Sequence, residues 1–132
     1  AGVRSISFDV DFSSRGDAAG DAAFAAAIAA ARAPIALPTF GQKAGAGDTR
    51  QLDSLPIPIL RDHAHLASVS VIPDPDGLVR RMPFGTVTRA TARPSLSAFV
   101  AGQAGSVAEN FPVDFAIDPG TIPRHSFIAV ER

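Results

Sequence analysis

The sequence predicts a single α/β domain with a mixed β-sheet flanked by helices. Three observations lead to this prediction. The chain has 132 residues, which is enough for one hydrophobic core. Apolar residues alternate near its start, and runs with helical spacing lie between the β-rich segments. An order in which strands and helices alternate along the chain is typical of the α/β class.

The first predicted strand lies close to the start of the chain. Apolar and polar residues alternate here, as they do in a strand with one face toward the core. The apolar members are Ile6, Phe8, Val10 and Phe12. The turn-forming segment Ser13–Gly16 ends the pattern.

An alanine-rich helix is predicted over Asp17–Ala33. Either Asp17 or Asp21 can accept hydrogen bonds from the free N–H groups at its start. Phe24 and Ile28 lie four residues apart and therefore share one face of the helix. We expect this face to pack on the sheet, so that the segment is a helix of the fold and not a linker.

The next part of the chain predicts a short strand, a loop and a short helix. The strand covers Ile35–Phe40, and Gly41–Asp53 has no periodicity, which indicates a loop. Two prolines exclude a central strand over Leu55–Leu60 because proline cannot donate to the ladder. A helix is predicted from about Pro58 to Leu66.

An antiparallel hairpin is predicted around Pro73–Gly77. Two β-rich runs, Val69–Ile72 and Leu78–Met82, flank this Pro/Asp/Gly turn. Gly77 is free to adopt the positive φ that such turns require. The hairpin makes the predicted sheet mixed.

The remaining chain predicts strand, helix and strand. Phe84–Thr91 continues the β pattern, and a helix begins at Pro94. Apolar residues alternate again over Phe111–Ile117, where Pro112 indicates an edge strand. The predicted order of elements is therefore β-α-β-α-β-β-α-β.

Composition excludes several classes of function. The formal net charge is −1, so the chain has no basic excess for binding nucleic acid. No apolar run reaches the roughly 18 residues that a membrane span needs. The absence of cysteine excludes a disulfide framework, a thiolate metal site and a cysteine nucleophile.

Two carboxylates and two guanidinium groups are the candidate ligand-binding groups. Asp9 and Asp11 share one face of the first strand, about 7 Å apart, at its carboxyl end if the strand is parallel. Arg80 and Arg81 point to opposite faces, and either can bind an anion through two hydrogen bonds. A structural role is the alternative: capping or ion pairing for the acids, and pairing with Asp9, Asp11 or Asp76 for the arginines.

No catalytic constellation, metal site or cofactor motif is identified in the sequence. His63 and His65 have no third ligand close in sequence. His125 beside Ser126 lacks the third member of a catalytic triad. The pair Asp9 and Asp11 leaves open a small enzyme fragment that uses a metal.

Four segments follow one another as they do in one protein family. They are Ser5–Ser13, similar to "I-x-F-D-hydrophobic-x-F-S"; Val69–Pro83, which ends like "D-G-x-x-R-R-x-P"; Pro94–Ser97, like the family's next helix start; and Pro119–Phe127, similar to "P-G-T-F-P-x-x-S-F/Y". On these motifs the chain resembles the CHASE type-2 sensor domain over nearly its whole length. We therefore expect residues 1–132 to form a single sensor domain that lacks its first strand and helix.

The resemblance implies an extracytoplasmic ligand-sensing domain of a bacterial inner-membrane receptor. Membrane helices and a cytoplasmic output domain would belong to the same parent chain. That output domain would be an adenylate cyclase, a diguanylate cyclase or phosphodiesterase, or a protein kinase such as a histidine kinase. The sensor itself would be no enzyme, would need no cofactor, and would bind an unidentified small-molecule signal, with a homodimer as a further expectation. The rival hypothesis is a structural dimerisation or protein-interaction domain without a small-molecule ligand.

Overall fold

The computed structural model describes residues 2–43, 51–103, 105–126 and 129. These residues contain three α-helices: α1 (Ala18–Ala30), α2 (Pro58–Arg61) and α3 (Leu96–Ala101). They also contain eight strands: β1 (Ile6–Ser7), β2 (Ile35–Lys43), β3 (Gln51–Ser54), β4 (His65–Ser68), β5 (Arg81–Pro83), β6 (Gly85–Thr88), β7 (Thr91–Pro94) and β8 (Asn110–Pro112). The predicted α/β class with a mixed sheet is confirmed. Below, β1–β4 with α1 and α2 are called the N-terminal half, and β5–β8 with α3 the C-terminal half.

Strand β2 is the centre of the main sheet. Its first part pairs with β1 and with β4, both parallel to it, and Leu37 lies opposite Leu66. Its second part pairs with β3 in the antiparallel sense, with Gly41 opposite Asp53. The first strand is therefore parallel to β2. A parallel first strand was the condition for placing Asp9 and Asp11 at the carboxyl-end edge of the sheet.

Helix α1 forms where its capping residue predicts. The carboxylate of Asp17 accepts a hydrogen bond from the N–H of Gly20 at 2.9 Å and so caps the first turn. Ala25 and Ile28 are buried. The helix ends at Ala30, so the predicted end at residue 33 is wrong by one turn.

The hydrophobic core lies between α1, α2 and the main sheet. Its buried members are Ala25, Ile28, Ile35, Leu37, Ile57 and Leu60. Phe8 packs against this core with its ring edge-on to Phe12 and Phe24, at centroid distances of 6.0 and 5.5 Å. Edge-to-face contacts of this kind add to the stabilisation from apolar burial. The alternation predicted at the start of the chain therefore places two phenylalanines at the core.

Three predicted boundaries in the N-terminal half are wrong. The ladder of the first strand covers only Ile6–Ser7, with one further bond from the N–H of Phe8 to β2. The segment Gly41–Asp53 begins and ends in β2 and β3, while residues 44–50 lie outside the described part. The helix predicted to reach Leu66 ends at Arg61, because the residues that follow hydrogen-bond to the free side of β2 as β4.

The turn predicted at residues 73–77 is present. The N–H of Asp74 donates to the carbonyl of Leu78, and the N–H of Gly77 donates to the carbonyl of Asp74, both at 2.8 Å. Gly77 has a φ of +82°. The turn chemistry of the sequence is therefore confirmed.

The two runs beside this turn do not form a ladder with each other. The N–H of Val69 donates to the carbonyl of Thr39 at 3.0 Å, so this run begins by continuing along β2. On the other side, β5 pairs with β8, where Met82 lies opposite Phe111. The antiparallel hairpins of the fold are β2–β3 and β6–β7.

A tight hairpin replaces the continuous strand predicted over Phe84–Thr91. Arg89 and Ala90 connect β6 to β7 with φ values of +48° and +57°, the signs of a type I′ turn. Such turns favour asparagine and glycine, because other L-residues are strained in this region. The guanidinium of Arg93 donates to the carbonyls of Thr88 and Thr91, which holds the turn.

The chain after α3 contains little regular structure. The hydroxyl of Ser95 caps α3, and Gly102 ends it with a φ of +65°. The strand predicted over Phe111–Ile117 is limited to β8, and Phe115 is 73% exposed. The carboxylate of Asp114 redirects the chain by accepting from the N–H two residues later. Among the described residues, no helix combines the length and apolar character needed to cross a membrane.

Candidate functional site

The acidic pair predicted from the sequence lies just beyond β1. Asp9 and Asp11 are exposed, and Asp11 accepts a hydrogen bond from the N–H of Ser13 at 2.8 Å. This contact turns the chain toward α1, which is one of the structural roles considered for the pair. The described residues include no group of three or more His, Cys, Asp or Glu side chains arranged to hold a metal ion.

Arg80 is engaged by the turn that precedes it. Its guanidinium donates two hydrogen bonds to Asp76, at 3.0 and 2.8 Å, and one to Asp74 at 3.0 Å. The bond to Arg80, and then the N–H of Leu78, hold the pKa of Asp76 below its ordinary value. The same carboxylates raise the pKa of Arg80, with Asp76 the larger cause. The pairing with Asp76 considered from the sequence is therefore present.

Arg81 lies in β5 and contacts the neighbouring strand. Its Nε donates a hydrogen bond to the side-chain oxygen of Asn110 in β8. The structure therefore gives Arg80 and Arg81 separate partners and does not bring them to the acidic pair. None of these four predicted residues lines the cleft described next.

A cleft of about 690 Å³ lies where the chain leaves the carboxyl end of β1, the edge at which open α/β sheets bind ligands. We call it the arginine cleft, because three arginines line it together with one carboxylate, two serines and apolar residues. Its lining residues are Ser13, Arg15, Phe40, Asp53, Ser54, Leu55, Pro56, Ile57, Pro58, Arg61 and Arg89. Four separate segments of the chain contribute: the β1–α1 loop, the end of the β2–β3 hairpin, the β3–α2 connection with α2, and the β6–β7 turn.

Backbone contacts bring the first three segments together. The N–H of Ile57 donates to the carbonyl of Phe12 at 2.9 Å, which joins the β3–α2 connection to the chain after β1. Pro58 begins α2, a position where its missing N–H costs no hydrogen bond. Arg61 follows in the last turn of this short helix and is half-buried at the cleft.

Asp53 holds the β6–β7 turn, the fourth segment, at the cleft. Its Oδ2 accepts a hydrogen bond from the backbone N–H of Arg89, which fixes the β6–β7 turn against β3. Its Oδ1 lies over Gly41, where an added Cβ would stand only 3.2 Å away. The glycine therefore makes room for the carboxylate that positions the turn.

The arginine cleft has an excess of positive charge. Arg15, Arg61 and Arg89 face a single carboxylate, Asp53, and guanidinium groups stay charged in proteins. Over the described residues, both recorded ion pairs involve Arg80 and none involves an arginine of the cleft. A concave surface with charge of one sign concentrates oppositely charged solutes.

A smaller cleft of about 310 Å³ adjoins the arginine cleft. The two share Arg15, Ile57 and Pro58, and the smaller one reaches the first turn of α1 at Ala18 and Asp21. Ligand-binding space at this edge of the sheet therefore extends from the β6–β7 turn to the start of α1.

The sequence did not identify these arginines as a group. Arg15 belongs to the turn-forming segment Ser13–Gly16, and Arg61 and Arg89 stand alone in their segments. Their spacing carries no motif, because a cleft formed by four segments exists only in the folded chain. A local signal was available for Arg15, in a turn, and for Arg61, beside a proline-rich connection, but not for Arg89, which lies in the predicted strand Phe84–Thr91.

The described residues form a small α/β domain with an open cleft. The chain belongs to the CHASE2 domain family, whose family model matches residues 1–129. CHASE2 domains are extracellular sensor domains and not catalytic ones. No curated protein and no solved structure matches the chain.

Proposed function

We propose that the chain senses a small-molecule ligand outside the cytoplasmic membrane and regulates a cytoplasmic output domain of the same parent receptor. The output domain would be an adenylate cyclase, a diguanylate cyclase or phosphodiesterase, or a protein kinase. Membership of the CHASE2 family supports the sensory role. The observation that carries the ligand-sensing proposal is the arginine cleft, at the edge of the sheet where α/β domains bind ligands.

The position of the cleft supports a mechanism by population shift. Arg15 and Arg61 belong to the N-terminal half, whereas Arg89 belongs to a turn of the C-terminal half. A ligand that contacts both halves binds best to the arrangement in which they are closest. Binding then shifts the population toward that arrangement, and attached membrane helices respond to the shift.

Thermal melting of the chain tests whether it binds a small molecule. The panel contains divalent cations, amino acids, organic acids, nucleotides and sugars, all at one ionic strength. We expect one chemical class to give a saturating rise in Tm, because a ligand of the folded state stabilises it by mass action. A melting temperature unchanged by every class would contradict the proposal.

Two variants locate the response. We expect Arg61→Gln to reduce the rise in Tm, whereas Arg80→Gln, whose guanidinium is held by Asp74 and Asp76, leaves it unchanged. A response that is lost in Arg80→Gln or Asp9→Asn but kept in Arg61→Gln would place the binding site at the residues first predicted from the sequence. In the full receptor, the same ligand should change output activity, and Arg61→Gln should abolish that change.

An exposed apolar segment favours a second candidate function, a dimerisation or protein-interaction domain. Phe115, Ile117 and Ile122 follow β8 and are all exposed. Sedimentation analysis tests this candidate: a mass that rises with concentration, falls back in Phe115→Ser and does not respond to any ligand would favour it over ligand sensing.

A further inference from the structure

We infer that the arginine cleft binds a small organic anion with at least two carboxylate or phosphate groups, held between Arg61 of α2 and Arg89 of the β6–β7 turn. This inference rests on the proposed ligand-sensing function and names its ligand class. Carboxylates and phosphates share the chemistry that matters here, a pair of oxygens that accept two parallel N–H bonds from one guanidinium.

The charges at the cleft favour a ligand with more than one negative charge. Among the described residues, three guanidinium groups and one carboxylate, that of Asp53, line it. One oxygen of that carboxylate, Oδ2, accepts from the backbone N–H of Arg89, while Oδ1 lies buried beside Gly41 with no hydrogen-bond partner among the described residues. A divalent anion matches the remaining excess of two positive charges.

Three arginines outside the cleft donate hydrogen bonds to the protein, whereas the described part of the chain shows no such bond for Arg4, Arg32 or Arg124. Arg80 binds two aspartates, Arg81 binds a neighbouring asparagine, and Arg93 binds two carbonyls of its own hairpin. Within the described part of the chain, no such hydrogen bond from a guanidinium to the protein is recorded for Arg15, Arg61 or Arg89. The arginines that hold the fold together and those that line the cleft are therefore separate sets.

The β6–β7 turn gives independent support, because it carries a long charged side chain where a glycine would relieve strain. Arg89 has a φ of +48°, a conformation that side chains other than glycine and asparagine adopt reluctantly. Asp53 and Arg93 hold the turn in this form. Strained residues held by their surroundings occur preferentially at ligand-binding sites.

The size and lining of the cleft indicate an organic molecule. A volume of about 690 Å³ is typical of sites for small ligands. Phe40, Leu55 and Ile57 add apolar surface to a lining that is otherwise largely polar. A carbon skeleton can pack on that surface while its terminal oxyanions reach the two arginines.

Calorimetric titration of the chain with citrate and with fructose 1,6-bisphosphate tests the inference. Acetate and glucose serve as the singly charged and neutral probes, and ionic strength is constant throughout. We expect at least one of the two multiply charged probes to bind at least tenfold more tightly than acetate. The comparison between citrate and the bisphosphate distinguishes carboxylate from phosphate as the preferred group.

Variants test the position of the anion. Arg61→Gln and Arg89→Gln should each weaken binding of the multiply charged probe at least tenfold. Arg61→Lys keeps the positive charge but loses the paired N–H donors. Its affinity for the probe should therefore lie between those of the unchanged chain and Arg61→Gln. Arg32→Gln and Arg124→Gln, which remove exposed arginines outside the cleft, should bind as the unchanged chain does, and far-ultraviolet circular dichroism checks that each variant is folded.

The possible results show separately whether the anion inference fails and whether the ligand-sensing proposal fails. Binding of neither multiply charged probe, together with a saturating rise in Tm for a neutral or cationic class, overturns the anion inference and leaves ligand sensing standing. Absence of binding to every class overturns both. Multiply charged probes that bind equally to the unchanged chain, Arg61→Gln and Arg89→Gln place the anion elsewhere and overturn the inference as well.

Discussion

The two halves of the chain are stabilised in different ways. The six buried residues of the hydrophobic core all lie in the N-terminal half, between Ala25 and Leu60. Buried positions in the C-terminal half are small or polar, such as Gly85, Thr88 and Ala98. Burial of apolar side chains therefore stabilises the N-terminal half. Close backbone packing, capped turns and hydrogen bonds stabilise the C-terminal half.

The contact between β4 and β6, which belong to different halves, is polar. The hydroxyl of Thr86 in β6 donates to the hydroxyl of Ser68 in β4 at 2.6 Å, and Ser68 also forms an isolated bridge with Ser95. Thr39 and Thr88 are fully buried in the same region of the fold. The hydroxyl oxygens of Thr39 and Thr88 have no hydrogen-bond partner among the described residues.

The largest expected effect comes from truncating the apolar core. Leu37→Ala removes a side chain that is 0% exposed, and we expect a loss of about 2–5 kcal/mol in the free energy of unfolding. Leu78→Ala, at a position 57% exposed before the C-terminal half, is the matched control and should stay within about 0.5 kcal/mol. Urea unfolding measures both, and equal losses would show that burial of Leu37 in the core of the N-terminal half adds no stability beyond that of an exposed leucine.

A smaller loss is expected from crowding the backbone of the C-terminal half. A Cβ at Gly85 would stand 2.4 Å from the carbonyl oxygen of Arg93, so the β6–β7 ladder must shift to admit it. We expect Gly85→Ala to lose about 1–3 kcal/mol of unfolding free energy. Gly2→Ala, with no atom near the added Cβ, serves as the control. A neutral Gly85→Ala would show that backbone fit does not stabilise this half.

The β6–β7 turn predicts a gain in stability. Ala90 has a φ of +57°, and Ala90→Gly should relieve its strain and raise the free energy of unfolding by about 0.5–1 kcal/mol. Ala92→Gly, two residues later in β7, keeps an extended backbone and should lose a similar amount. Thermal melting of the two variants shows whether each change raises or lowers the stability of the chain. A loss of stability in Ala90→Gly would contradict the assignment of strain to this turn.

The ion pair beside β5 predicts the smallest effect. Because Arg80 lowers the pKa of Asp76 in the folded chain, the pair contributes stability above the ordinary carboxyl pKa of 3.8 and loses it as pH falls through the lower folded value. Both groups are exposed, so salt should screen the contribution. Nuclear magnetic resonance of the Asp76 carboxyl should show this pKa rise toward 3.8 in Arg80→Gln. An unchanged pKa would mean that the contact does not persist in solution.

The predictions from sequence succeed where the cause is local. Asp17 caps α1, Gly77 takes a positive φ, and a helix begins just after Pro94, because each depends on residues a few positions apart. The predictions fail where a distant strand decides the outcome. Residues near Leu66 pair with β2 and do not continue a helix, and β5 finds its partner in β8.

The candidate site divides in the same way. The sequence predicted the first strand from its alternation but left its direction open, and the structure shows that it is parallel to β2. The arginines of the cleft could not be predicted as a group, because Arg15, Arg61 and Arg89 meet only after four segments have packed. Asp9 and Asp11 lie just beyond β1 but do not line the cleft.

The β5–β8 ladder has a consequence for the order of events as the chain is made. The six residues of the hydrophobic core have all been synthesised once Leu60 is added, and β4 follows within a few residues. At roughly 5–20 residues per second, β8 follows β5 by a few seconds. During that interval β5 lacks its partner and presents an open strand edge. Strand β8, the last of the described strands in chain order, then covers this edge and removes a site of aggregation.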